Sequence, residues 1–350
     1  MTITIPHFNP GVAAALGAAL LFGASAPIAK WFLHDVSPWM LAGLFYLGSG
    51  LGLSIYRLVT HAQPVSLQRG EATWLTGAVL TGGVAGPVLL MFGLTGMPAS
   101  GAALLLNAEG VLTAIIAWVV FKENFDRRIG LGMLAIAAGA VILSWPGEAR
   151  FSGALSALAI LGACLCWAID NNLTRKVALA DATWIAAVKG TVAGSANLAL
   201  GFALGSTLPG GWTVQAAMMV GLFAYGLSLV LFVVGMRHLG TARTGAYFSV
   251  APFFGAILAL LCGEPVTLPL VVAGALMATG IWLHLTEKHD HEHAHEAMEH
   301  SHEHIHDEHH QHPHDFPAEA GTKHTHLHRH EPMVHTHAHF PDAHHQSHRH

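Results

Sequence analysis

Ten apolar runs follow one another almost without pause, near residues 11–32, 38–57, 72–94, 98–121, 129–145, 152–173, 182–205, 212–236, 243–262 and 267–285. A hydrocarbon core about 30 Å thick takes about 20 residues of α-helix to cross. Lipid offers the backbone no hydrogen bonds, so each run is expected to be helical. Such a series cannot be the interior of a water-soluble domain, because there is too little polar surface to cover it. Charged residues make up 11% of the chain, less than half the roughly 25% usual in soluble domains. The expected fold is therefore an all-α integral membrane protein of ten transmembrane helices. Gly48-Ser-Gly-Leu-Gly52, Gly82-Gly-Val-Ala-Gly86 and Gly190-Thr-Val-Ala-Gly194 place small residues four apart, a spacing that lets helix backbones approach closely.

The net charge of -5 hides a division. From Glu287 onward there are twelve acids, four Lys or Arg and 23 histidines, whereas the first 286 residues hold nine acids and twelve bases. No basic arm with interleaved aromatics appears, so no nucleic-acid partner is expected. Cys164, Cys166 and Cys262 all lie in apolar runs and form neither a disulfide framework nor a CxxC pair. The opening MTITIPHFNP lacks a basic n-region, so the first run is expected to stay in the mature protein.

Lys and Arg set the orientation. With the N-terminus inside, the inner loops hold Arg57, Arg69, Lys122, Arg127, Arg128, Arg175, Lys176, Arg237 and Arg243, and the outer loops only Lys30 and Arg150. This bias predicts a multi-pass protein of the inner or plasma membrane with both termini cytoplasmic. The two halves also resemble each other. Phe121 to Ile142 aligns with Cys262 to Leu283 without a gap, pairing Glu123 with Glu264 and Gly139 with Gly280, while Phe22 and Trp39 match Trp167 and Trp184 at one constant offset. Five helices per half put the halves in opposite orientations, an inverted repeat of the kind alternating-access carriers use. The expected units are 1–145 and 146–286, the two five-helix repeats, and 287–350, a disordered cytosolic tail.

Gly263-Glu264-Pro265 after the ninth helix and Val250-Ala-Pro-Phe-Phe254 at its entry, on two five-helix halves, resemble the EamA-type permeases of the drug/metabolite transporter superfamily over roughly residues 10 to 285. That resemblance implies proton-coupled or facilitated movement of small solutes, often outward, with substrates among amino acids, amphipathic drugs, sugars and metabolites. The first half departs from the pattern: it reads Leu106-Asn-Ala-Glu-Gly110, with Glu109 in an apolar or proline position.

Three ionisable residues fall inside the runs: Glu109 near the middle of the fourth, Asp170 near the inner end of the sixth and Lys189 in the seventh. Each costs about 2.5–3.5 kcal/mol at a helix centre, and such residues usually face a cavity or one another. Asp170 and Lys189 lie at similar depth, where an ion pair is one reading. Two acids against one base favour a cationic or zwitterionic substrate, or a proton. Asn107, Asn171, Asn197, Tyr225 and Tyr247 complete the candidate binding set, with Ser228 beside Tyr225; the tyrosines and Ser228 also suit interhelical hydrogen bonds. No nucleophile with a base, phosphate loop or HExxH stretch is present, so enzymatic activity and a required cofactor are not expected.

The tail alternates His-x-His: His289, His291, His293 and His295; His300, His302, His304 and His306; His324, His326, His328 and His330. Imidazole is a ligand for zinc, nickel, cobalt and copper, and three or four can gather round one ion on a flexible chain. Metal binding by the tail is expected; a pH-responsive polyelectrolyte is the rival. The leading functional expectation is a transporter of a small solute, an exporter, in the lipid bilayer, with a metal-binding tail. The alternatives are a transition-metal transporter whose tail collects the cargo, and a membrane-anchored metal store. The spans also leave room for a homodimer.

Overall fold

The computed structural model describes residues 10–65, 67, 70–121, 127–144, 151–174, 177, 181–239, 244, 247–285, 290–295, 298–304, 324–330 and 333–338. The chain divides into two compact units, Met1–Glu287 and Lys288–His350.

The first unit is helical, in the order α1 (Pro10–Gly23), α2 (Ser25–Phe32), α3 (Pro38–Val59), α4 (Glu71–Ala78), α5 (Gly86–Gly96), α6 (Ala99–Leu105), α7 (Ala108–Phe121), α8 (Arg127–Ser144), α9 (Phe151–Thr174), α10 (Ala182–Ala203), α11 (Gly211–Gly221), α12 (Ser228–Leu239), α13 (Ala251–Leu261) and α14 (Leu268–Leu285). Among the described residues six helical stretches are long and apolar enough to cross a membrane, including Pro10–Phe32, Glu71–Gly96 and Gly211–Gly235; the stretches 130–143, 251–261 and 268–283 are shorter apolar helices. Leu20, Ile55, Leu155, Leu158, Val119 and Trp282 are exposed, the surface a bilayer would cover.

Several runs read as single helices are interrupted, and the interruptions recur in both halves. The third span joins α4 to α5 through a π-helical turn, Val79–Ala85, and the eighth joins α11 to α12 through another, Leu222–Leu227. The fourth span breaks at Leu106–Asn107 between α6 and α7, and the ninth has a turn at Ser249–Val250 before α13. Asn107 disfavours the helix interior because its amide competes for backbone groups, and here its Nδ2 donates to Leu104 O at 3.0 Å. Pro252, at the start of α13, has no N–H to give a preceding turn.

Packing follows the same two-fold logic. Helix α1 lies on α12 and α13, as α9 lies on α5 and α7; α3 lies on α10, and α8 on α14. A Cβ on Gly139 would press on Met277 Cγ at 2.9 Å and Ala273 O at 3.0 Å, and one on Gly280 on Gly132 O at 2.6 Å and Ile136 Cγ1 at 2.7 Å. Each contact is the other shifted by the alignment that pairs Gly139 with Gly280, as a two-fold relation between repeats requires. At the α3–α10 crossing a Cβ on Gly190 would meet Gly50 N at 2.5 Å, and one on Gly50 would overlap Thr191 N. The small-residue spacings therefore lie where backbones touch.

Among the described residues of the second unit are four short strands, β1 (Asp290–His295), β2 (Met298–His304), β3 (His324–His330) and β4 (Met333–Ala338). β1 pairs antiparallel with β4, and β2 with β3. The His-x-His alternation repeats every two residues, as side chains on a strand do. His289 and His306 lie outside the described residues.

Candidate functional site

The intramembrane polar groups gather around the two broken spans of the first half. A π-helical turn leaves carbonyls without their usual helical donors. In Val79–Ala85 these are supplied by side chains from three other helices: Tyr46 Oη donates to Gly82 O at 2.8 Å, Trp167 Nε1 to the same oxygen at 2.9 Å, and Asn197 Nδ2 to Gly83 O at 3.1 Å. Asn197 is fully buried, and its Oδ1 meets no donor among the described residues.

Beside this turn lies an ion pair. Lys189 Nζ reaches Asp170 Oδ1 at 2.6 Å and Oδ2 at 2.7 Å, and Thr174 Oγ1 donates to Oδ1 at 2.8 Å. Both side chains are largely buried. Gly82 makes room for the pair, since a Cβ there would overlap the Asp170 carboxylate. The offset that relates Phe22 to Trp167 relates Ser25 to Asp170 and Leu44 to Lys189. The charges are thus a feature of one half alone.

Glu109 stands in the first turn of α7, just past the break, rather than within one continuous fourth helix. Its Oε1 accepts from Asn171 Nδ2 at 2.8 Å. Among the described residues no cation pairs with it. Asn107, two residues earlier, turns elsewhere: its Nδ2 also lies 3.7 Å from Met277 Sδ. Tyr225 sits among rings, with centroids 5.8 Å from Phe22, 5.9 Å from Phe45 and 5.2 Å from Tyr46. Ser228 Oγ donates to Ala18 O at 2.9 Å. Tyr247 is half-buried just ahead of the Ser249–Val250 turn, and its carbonyl accepts from Val250 N. The structure therefore joins Asp170 with Lys189 and Glu109 with Asn171, sets Asn197 on the π-helical turn, and gives Asn107 and Tyr247 partners of their own.

A second charged site lies at the other ends of these helices, and sequence reasoning used its residues only as markers. Lys30 was a count in the charge bias and Glu264 a repeat position. Glu264 Oε1 accepts from Ala99 N at 2.7 Å and Oε2 from Ser100 N at 2.9 Å, capping the start of α6. Lys30 Nζ donates to Leu94 O at 3.2 Å and to Met97 O. The α5–α6 connection is thereby held from both sides. Burial alone would raise the Glu264 pKa, but the Ser100 and Ala99 bonds, with Lys30 nearby, hold it below the ordinary 4.5. A recess of about 350 Å³ opens beside this clamp, lined by Lys30, Thr95, Pro98, Glu264 and Pro265. Tyr46, Gly82 and Trp167 were also missed as site residues. The signal was a Gly-Gly pair at the centre of the third run, facing one of only four tyrosines.

Among the residues whose side chains are described, no group of three or more His, Cys, Asp or Glu converges on a point a metal could occupy. The three cysteines are free, with Cys164 buried and Cys262 exposed.

The comparisons with known proteins agree with this architecture. An uncharacterized transporter of Methanothermobacter thermautotrophicus is 28% identical over 297 residues, covering 78% of this chain and 85% of its own length. The uncharacterized transporter YyaM of Bacillus subtilis is 24% identical over 286 residues, covering 76% and 92%. A crystal structure at 18% identity superposes with a TM-score of 0.60 over 78% of this chain and 94% of the other, a likeness of fold. The sequence matches the EamA-like transporter family twice, over residues 9–145 and 154–286, one match for each half. This multi-pass membrane protein belongs to the EamA-like transporter family.

Proposed function

We propose that the chain carries a small cationic or zwitterionic organic solute across the membrane by alternating access, outward from the cytoplasm, and that its histidine tail binds transition-metal ions on the cytoplasmic side. The observation that carries the solute reading is the unequal treatment of three acids. Asp170 is neutralised by Lys189, and Glu264 is satisfied by two backbone N–H groups. Among the described residues Glu109 has only the neutral Asn171 amide. A carboxylate without a cation inside a membrane protein is costly unless it takes up a proton or a positively charged ligand. It also stands at a helix break, where transporters of inverted-repeat design place substrate groups. Asn171 orients the carboxylate, and the Asp170–Lys189 pair and Asn197 line the neighbouring polar region.

An organic cargo is favoured over a metal cargo because the described part of the membrane unit offers no cluster of metal ligands. The tail reading rests on the His-x-His alternation and on the coordination chemistry of imidazole.

The test is transport into proteoliposomes of labelled amines and amino acids, and of zinc, nickel and cobalt, by the full chain, the chain ending at Glu287 and Glu109→Gln. The reading expects organic flux in the first two, none in the third, and metal retention only where the tail is present. Metal flux abolished by Glu109→Gln would replace it with a metal carrier. Folded protein that moves no solute under a proton gradient of either sign would sink it.

A further inference from the structure

In the two ladders of the tail, histidine falls opposite histidine. β2 and β3 pair His300 with His328, His302 with His326 and His304 with His324. β1 and β4 pair His291 with His337 and His293 with His335, while His295 meets Met333. Both ladders keep one register, because the two residues between β1 and β2 are matched by two between β3 and β4. Residues two apart on a strand share a face. One face of β2–β3 thus carries three rows of paired histidines, and one face of β1–β4 carries two. The other face of β2–β3 holds the pairs Glu299–Arg329, Ser301–Leu327 and Glu303–Thr325.

Such ladders have little to hold them as bare peptide. A lone two-stranded ladder is marginal in water, and neither face here is a continuous apolar surface. The same spacing suits metal. Opposed residues have Cβ atoms about 4.5–5.5 Å apart and diagonal ones about 7–8 Å, distances that imidazoles bound at about 2.0–2.1 Å can bridge. Two neighbouring rows supply four nitrogens.

We propose that the paired rows are two separate transition-metal sites, His300, His302, His326 and His328 in one ladder and His291, His293, His335 and His337 in the other, and that ion binding closes the ladders. This rests on the reading that the tail binds metal, and it adds that ligands come in cross-strand partners rather than from whichever histidines lie nearest in sequence. Binding energy at a site absent from the open chain becomes folding energy, so the tail folds as metal rises.

The test counts cobalt(II) bound to the full chain in nanodiscs by its d–d absorption, with zinc as competitor and the chain ending at Glu287 as control. The variants are His302→Gln, His326→Gln, their double, and His302→Gln combined with His335→Gln. The tail lies outside the membrane unit, so each variant keeps the transporter fold. Partners in one site predict that each single change removes one high-affinity ion, that the His302/His326 double removes no more than either single, and that the His302/His335 double removes two. If the loss follows the number of histidines removed, regardless of pairing, the cross-strand assignment is wrong while metal binding stands. If the full chain binds no more cobalt than the control, the metal reading of the tail itself fails.

Discussion

Lys189 places its ammonium between both carboxylate oxygens of Asp170, at 2.6 and 2.7 Å, in the space that Gly82 leaves open. Removing one partner leaves a charge buried without compensation, which in protein interiors costs about 3–5 kcal/mol, whereas removing both together costs far less. Lys189→Met and Asp170→Asn are each expected to lower thermal stability in nanodiscs sharply, and the double variant to recover most of the loss. Additive losses in that double-mutant cycle would show that the pair contributes nothing by its contact.

The clamp on the α5–α6 connection makes a different prediction. Four hydrogen bonds from Lys30 and Glu264 hold this linker. Glu264→Ala strands two N–H groups at the start of α6, a loss of about 1–3 kcal/mol. Ser25 is buried on the same helix as Lys30. In a background without the native cysteines, Ser25→Cys is expected to react slowly with a membrane-impermeant maleimide and faster once Glu264→Ala is added. Unchanged labelling would mean that the clamp does not limit access to Ser25.

Asp181 gives the pH dependence. Its carboxylate caps α10, accepting from Trp184 N at 3.0 Å and from Thr183 Oγ1 at 2.6 Å, and meets Arg57 Nη1 at 2.8 Å. Partial burial pushes its pKa up, but the Thr183 and Trp184 bonds and Arg57 outweigh burial and hold it below the ordinary 3.8. A group whose folded pKa is depressed contributes stability that is complete above its unfolded value and is lost as pH falls through the folded one. Thermal melts from pH 6 down to 3 are expected to show a smaller drop for Asp181→Asn than for the parent chain. An equal drop would assign the acid sensitivity to other carboxylates.

The sequence made the membrane unit legible because lipid leaves few choices: run length points to ten spans, the charge bias to their orientation, and the Phe121–Ile142 match to Cys262–Leu283 to two halves. It also brought Asp170 and Lys189 to one depth, and the structure joins them. What it left hidden depends on backbone irregularity. Within residues 72–94 only the Gly82-Gly83 pair marks the π-helical turn that turns Gly82 O toward Tyr46 and Trp167. The Leu106–Asn107 break that sets Glu109 in a first turn was signalled only by one asparagine. Lys30 and Glu264 were read as loop charges, because their partners are backbone atoms far away in sequence. In the tail the two-residue alternation of histidine was legible, but the pairing of one stretch with another was not, because register joins residues far apart in sequence.

The α3–α10 crossing offers the sharpest test of close packing. Gly50 and Gly190 face each other, and a Cβ on either meets the backbone of the opposite helix: Gly50 N at 2.5 Å in one direction, the Gly190–Thr191 peptide in the other. Backbone cannot swing aside as a flexible side chain can, so one added methyl must push the helices apart. Helix association in lipid depends on such close contact rather than on a hydrophobic driving force. Gly50→Ala and Gly190→Ala are therefore each expected to lower the melting temperature in nanodiscs. Once the helices have separated for the first methyl, the second finds much of its room already made. The double variant is accordingly expected to lose less than the sum of the two singles, since residues in contact do not act independently. Full additivity would mean that the two glycines are accommodated separately and that the crossing is not set by their contact.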